Sequence, residues 1–313
     1  MSDSRPRPLV VAVVGATASG KTELAESLAA TLGAEIVCAD SRQVFRELEI
    51  GTGKPTPEER AERPHQLFDA LALGARASAG WYARACAAAR QEIRARGRLP
   101  LLVGGSGLYL KAAREGLAGE PPHDPEVRPR LAAELDAHGP EALHARLAAV
   151  DPLTAARLAP RDRQRVTRAL EVHEISGRPL SWWHAQPAAP LLDERWLVFE
   201  LVVAPGELRT RITARTRWMF DHGLMEETRA LMEAGRGQAL RALRAVGYDE
   251  AMAVQEGSMS RADAETRTSA RTAQLARRQR TWFRHQVQAS RLDRSGEADL
   301  TVAREEILRV LND

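Results

Sequence analysis

The chain has only two cysteines, Cys38 and Cys86, in 313 residues, too few for a disulfide framework. No apolar run approaches the roughly 20 residues of a membrane span, and the opening segment MSDSRPRP lacks the apolar stretch of a secretory signal. A cytoplasmic protein with no membrane partner is expected. The eight histidines show neither metal-ligand spacing nor an HExxH pattern, which argues against bound zinc. A dominant charge is missing too. Forty-five Lys+Arg against 42 Asp+Glu leaves +3, a sum that does not by itself announce a nucleic-acid partner. Lysine is scarce, with Lys21, Lys54 and Lys111 the only three among 45 basic residues. Where a compact ammonium on a flexible stem is required, arginine's planar fork substitutes poorly. All three lysines sit in or beside glycine-containing segments, and Lys21 is the most informative.

What is present reads as a soluble globular protein. A 44% hydrophobic content with 28% charge excludes wholesale disorder, and at about 150 residues per domain the length allows one large or two modest domains. The apolar runs LVVAVV (9–14), AEIVCAD (34–40) and PLLVGG (100–105) alternate with helical patterns, one of them over about 78–96. That alternation predicts a parallel sheet, and the nearly all-apolar strands predict cover on both faces. Pro121, Pro122, Pro125 and Pro129 on one side, and Pro187 and Pro190 on the other, bracket a stretch with helical patterns and no convincing strand. WLVFELVV (196–203) then returns the chain to the sheet. The expected architecture is an α/β core from residues 1–120 and 191–313, interrupted by an all-helical insertion at 121–190.

GATASGKT (15–22) follows a strand and opens a helix, the context that a phosphate-binding P-loop requires, so the fold is expected to be P-loop NTPase-like. Gly15 and Gly20 admit close backbone approach, the amides offer positive charge, Lys21 would reach the terminal phosphate, and the Thr22 hydroxyl suits magnesium. ATP or any diphosphate fits this signature. Asp40 ends the next strand and could serve as magnesium ligand, general base or helix cap. Ser106 lies in VGGSGLYLKA at a third strand end, so three strand ends would converge on one crevice. Arg211 and Arg215 share a helix face and could give a second cationic grip on phosphate. Residues 261–294 carry nine arginines against three acids, or +6, on what reads as one long helix; 295–313 is −3. Such a face is either merely solvated or meets a phosphate backbone. Trp182 and Trp183 suit base stacking or a core equally well.

GATASGKT, ADSRQVF, IGTGKP (50–55), RPHQLFD (63–69), VGGSGLYLKA, DRQRVTRALEV (162–172), RAVGYDEA (244–251) and QLARRQRTWFR (274–284) together resemble the ordered signature of bacterial tRNA dimethylallyltransferases across nearly the whole chain. The resemblance implies transfer of a dimethylallyl group from dimethylallyl diphosphate to the exocyclic amine of the adenosine 3′ of the anticodon, position 37. The implied substrates are tRNAs reading codons that begin with U. It implies magnesium as cofactor, no consumption of ATP, and a monomer. The P-loop residues Gly15, Ala16, Thr17, Ala18, Ser19, Gly20, Lys21 and Thr22 would then cradle the donor's diphosphate with Arg215. Asp40 would be the base, and Ser106 stands where the family usually has threonine. Asp40, Ser41, Arg42, Gln43, Ser106, Arg128, Gln164, Arg165, Val166, Thr167 and Arg168 match positions that meet the tRNA. Phe45 replaces a common tyrosine, and RPHQLFD departs mildly from the usual ending. The competing reading is a P-loop kinase for a small metabolite, with ATP as phosphoryl donor.

Overall fold

The computed structural model describes residues 6–119, 121, 123–293 and 298–312. In chain order the first part holds β1 (Leu9–Gly15), α1 (Lys21–Leu32), β2 (Glu35–Cys38), a single 3-10 turn (Ile50–Thr52), α2 (Pro57–Glu62), β3 (His65–Gln66), α3 (Ala79–Ala95), β4 (Pro100–Gly104) and α4 (Gly107–Glu115). Four helices follow: α5 (Val127–Val150), α6 (Pro152–Ala155), α7 (Arg163–Ser176) and α8 (Leu180–His184). The chain returns through β5 (Arg195–Val202) and α9 (Pro205–Asp221), then α10 (Leu224–Glu233), α11 (Gly237–Leu243) and α12 (Tyr248–Gln255). It closes with α13 (Arg261–Gln286), β6 (Ser290–Asp293) and α14 (Ala298–Asn312).

Among the described residues six strands form one parallel sheet in the order β3-β2-β4-β1-β5-β6. β1 is buried along its length because both of its faces are covered. Val10, Ala12 and Val14 enter one core, while Leu9, Val11 and Val13 enter a second with Leu24 and Leu28 of α1 and Ala303 and Ile307 of α14. Hence its unbroken apolar run. The order β2-β4-β1 also sets three loops side by side at the carboxyl edge: residues 15–22, 40–43 and 105–107.

Two strands depart from the sequence reading. β3 has two residues and β6 four, and neither carries a long apolar run. The helix expected over 261–294 ends at Gln286. Val287 turns extended, and Ser290–Asp293 pairs with β5. Pro122 of the bracketing prolines, Arg294 of the basic stretch, and Glu297 and Asp313 of the acidic one lie outside the described residues.

The chain divides into two compact units: residues up to Arg114 with those from Leu191, and Glu115–Pro190. The second unit is helical, with its own core of Leu131, Leu135, Leu143, Leu147, Val166 and Leu170. α5 breaks at Gly139 (φ 80°, ψ 166°), directly before Pro140, since proline disfavours the helical region for the residue ahead of it. No described helix is long and apolar enough to cross a membrane.

Candidate active site

The P-loop is built by the turn from β1 into α1. Gly20 is left-handed at the N-terminus of α1, and Ala18 holds a left-handed conformation (φ 61°) that costs an L-residue about 1–3 kcal/mol. An open cleft of about 700 Å³ lies over the loop, lined by Ala18, Gly20, Lys21 and Thr22 and faced by Arg211 and Arg215 of α9. Arg211 donates to Ser19 O (3.4 Å) and pairs with Glu207; Arg215 donates to Thr52 O (2.9 Å). Gly53 makes room for that contact. Its φ is +58°, and a Cβ there would sit 2.1 Å from Arg215 Nη2. Burial brings the Lys21 ammonium down to about 8, with Asp40 opposing and Arg215 adding to the effect. Burial lowers Arg215 as well, again against the field of Asp40. Two cations suffering desolvation beside each other, with one carboxylate in reach, form a site that gains from an arriving anion. Thr22 sets a hydroxyl at the same cleft. Among the described residues no group of three or more His, Cys, Asp or Glu could hold a metal. A hard cation there would depend on Thr22, ligand oxygens and water, a set that fits magnesium better than a softer metal.

A second cavity, of about 570 Å³, opens on the other side of Arg215. Asp40, Ser106, Thr17, Tyr248, Gln279 and Trp282 are among its walls; Arg215 lines both spaces, with Thr52 on the wall of the second and Gly53 on that of the first. No helix follows β2, so Asp40 caps none. Its Oδ1 accepts from Arg42 N (2.8 Å) in a tight turn, and its second oxygen has no hydrogen-bond partner among the described residues. Ser106 N donates to Ala39 O (3.1 Å), while its hydroxyl oxygen accepts from Ser41 N (2.9 Å) and keeps its own proton to donate. Asp40, Ser106, Lys21, Thr22 and Arg215 therefore come together around two connected spaces.

Other sequence candidates brace the site. Arg42 donates to Leu243 O (2.8 Å), and Gln43 donates to Thr52 O and Gly53 O (3.2 and 3.0 Å). Lys54 is buried, donates to Phe45 O (2.8 Å), and pairs with Asp69 (2.6 Å) and Glu49 (3.1 Å), so it anchors the segment that presents Thr52 and Gly53. Phe45 is buried too, where a tyrosine hydroxyl would have needed a partner. Glu227 of α10 accepts from Ile50 N (2.8 Å) and from the Tyr248 hydroxyl, and burial pushes its carboxyl up. The residue that sequence reasoning missed is Gln279. It lies within a motif block, but nothing local distinguishes it in an arginine-rich helix; its contacts are with Thr17 and Gly105, far away in sequence.

Within the helical unit, Asp162 caps α7 by accepting from Arg165 N, leaving Gln164 and Arg165 exposed on the first turn. Arg128 and Arg168 both reach the His123 ring, and Glu171 joins them. Burial pushes Glu171 up, yet hydrogen bonds from Arg168 and His123 hold it below the usual range. Val166 offers no side chain to an RNA, because it is buried in the unit's core. Trp183 is likewise partly buried against that core, whereas Trp182 is exposed with the Arg178 guanidinium 5.2 Å from its ring centre. On α13 the charge splits. Arg261, Arg267 and Arg271 are paired with Asp221, Glu265, Asp249 and Glu250, while Arg277, Arg278, Arg280 and Arg284 have no partner among the described residues. The free positive face is the second half of the helix only.

A model of the IPP transferase family matches residues 43–286, and an isopentenyl transferase model matches 8–67. A tRNA dimethylallyltransferase of Halorhodospira halophila is 47% identical over 90% of this chain and 92% of its own. One from Rhodopseudomonas palustris is 44% identical over 94% and 92%. The crystal structure of the full-length tRNA isopentenylpyrophosphate transferase of Bacillus halodurans superposes with a TM-score of 0.70, at 31% identity, covering 98% of this chain and 97% of that one. A eukaryotic dimethylallyltransferase acting on tRNA shares the fold at 23% identity (TM-score 0.78), covering 96% and 78%.

Proposed function

The chain belongs to the IPP transferase family, and from that premise we propose how its own residues carry the reaction. The protein is an enzyme that prenylates tRNA, transferring a dimethylallyl group. Dimethylallyl diphosphate is the donor. Its diphosphate occupies the cleft over the P-loop, held by the amides around Gly20–Thr22, by Lys21 and by Arg215. Adenosine 37 of tRNAs that read U-initial codons enters the second cavity, and its exocyclic amine faces Asp40. The observation that carries this reading is the position of Arg215, on the wall shared by an anion cleft and a carboxylate-bearing cavity.

The chemistry follows from the two spaces. An exocyclic amine is a weak nucleophile because its lone pair is delocalised into the ring, but it becomes strongly acidic as the carbon–nitrogen bond forms. Asp40, whose second oxygen has no hydrogen-bond partner among the described residues, takes that proton. The breaking carbon–oxygen bond leaves its electron pair on diphosphate, where Lys21 and Arg215 meet the growing negative charge; such preorganised contacts are each worth about 3 kcal/mol. Ser106, fixed by Ala39 O and Ser41 N, donates its hydroxyl proton within the acceptor cavity. Magnesium at Thr22 would supply further charge neutralisation on the diphosphate. The adenine must leave the anticodon-loop stack, at a cost of a few kcal/mol. Unpaired arginines of α13 and the exposed Arg128, Gln164 and Arg165 offset this by holding the RNA, and the protein works as a cytoplasmic monomer.

Mass analysis of tRNA digests after incubation with dimethylallyl diphosphate and magnesium tests the proposal. One dimethylallyl unit replacing a hydrogen on adenosine 37, with no need of ATP, is the expected product. ATP-dependent phosphorylation of a small molecule with unchanged tRNA would establish the kinase reading instead.

A further inference from the structure

Gln279 of α13 inserts its side-chain amide between two loops of the sheet edge. Its Oε1 accepts from Thr17 N in the P-loop (2.8 Å), and its Nε2 donates to Gly105 O beyond β4 (3.0 Å). The approach is close: a Cβ at 105 would lie 2.4 Å from Nε2 and push the amide aside. The amide's two ends are chemically distinct, so only one orientation satisfies both partners.

The consequence concerns the phosphate-binding capacity of the loop. A P-loop grips anions with backbone amides, and each additional phosphate needs further donors. Here the Ser19 amide is used internally on Ala16 O (3.2 Å), and the Thr17 amide is occupied by Gln279. The loop residues that line the anion cleft are Ala18, Gly20, Lys21 and Thr22, whereas Thr17 lies on the wall of the acceptor cavity beside Gln279. A phosphate chain that continued past Lys21 towards β1 would meet a neutral amide already hydrogen-bonded on both sides. We propose that Gln279 is a specificity-determining residue: by occupying the Thr17 amide it closes the P-loop to a third phosphate, so that the loop takes diphosphates and rejects triphosphates. This rests on the reading that the donor's diphosphate binds the P-loop cleft. It gives a physical reason for a nucleotide-type loop to serve an isoprenoid donor in the presence of abundant nucleoside triphosphate.

The test is calorimetric titration of the full-length protein with inorganic diphosphate and inorganic tripolyphosphate in magnesium. The parent protein binds diphosphate at least about tenfold more tightly, the scale of one hydrogen bond to a charged group. Gln279→Met keeps the side-chain volume and frees the Thr17 amide, so its preference falls by about tenfold while its diphosphate affinity stays within a few-fold of the parent. Gln279→Glu keeps an acceptor on that amide, and its preference does not fall. A merely structural role would not separate the two variants in this way. An unchanged preference in Gln279→Met overturns the inference, as does complete loss of diphosphate binding there, which would make Gln279 a brace and not a filter. If the parent binds neither anion, or if Lys21→Ala leaves diphosphate binding intact, the P-loop reading itself has failed and takes this inference with it.

Discussion

In the proposed reaction Asp40 and Lys21 have opposite tasks and different sensitivities. With one oxygen committed to Arg42 N and the other unpartnered among the described residues, Asp40 can accept a proton without rearranging. Asp40→Asn keeps the shape and the turn but cannot accept it, and kcat is expected to fall by about 10²–10⁴-fold with tRNA affinity changed only a few-fold. Single-turnover assays and tRNA binding check this, and near-normal turnover would remove Asp40 from the role of base. Lys21 is set by burial to titrate near pH 8. In the free enzyme its charge is complete below that value and lost above it, so affinity for dimethylallyl diphosphate falls as pH rises through about 8. Bound diphosphate favours the charged form and pushes the transition upward. A pH profile of kcat/KM shows this limb in the parent and lacks it in Lys21→Arg, which stays charged throughout; an identical limb in that variant would assign it elsewhere. Asp40 and Ser106 were legible because each follows closely on a strand that pattern alone identifies, and Lys21 and Thr22 because they open the helix after a glycine-containing loop. Lys54 and Gln279 were not, since their meaning comes from contacts that only the folded chain creates.

At the scale of elements, α13 carries the clearest contrast. Its first half has arginines neutralised by Asp221, Asp249, Glu250 and Glu265, and its second half has four without a partner among the described residues. Neutralising Arg277, Arg280 and Arg284 together with glutamine is expected to reduce the salt slope of tRNA binding by about one for each phosphate that these arginines meet. Neutralising Arg267 and Arg271 leaves that slope unchanged, because these charges are already spent within the protein. Binding titrations at several salt concentrations decide the matter, and equal effects from the two halves would contradict it. The basic helix itself was readable from spacing, but its division was not, because the acids that quench it come from α9 and α12 as well as its own first turns. β1, β2, β4 and β5 were evident as apolar runs. β3 and β6 escaped because an edge strand of two or four residues depends on its neighbour for existence and needs no apolar run of its own.

For the molecule as a whole, Pro121, Pro125 and Pro129 lie in the first part of the helical unit Glu115–Pro190, Pro187 and Pro190 lie at its end, and its longest helix breaks at Gly139–Pro140. Strand order brings three separate motifs together, since β2, β4 and β1 are adjacent: the loops after all three line the second cavity, and the loop after β1 also lines the first. The position of the donor is decisive. A crystal structure of the protein with an anticodon stem-loop and an unreactive sulfur analogue of dimethylallyl diphosphate measures this directly. The predicted result is diphosphate between Gly20–Thr22 and Arg215, with the isoprenoid carbon pointing past Arg215 at an adenine amine beside Asp40. Diphosphate bound away from Lys21, or an adenine whose amine faces no carboxylate, would contradict it.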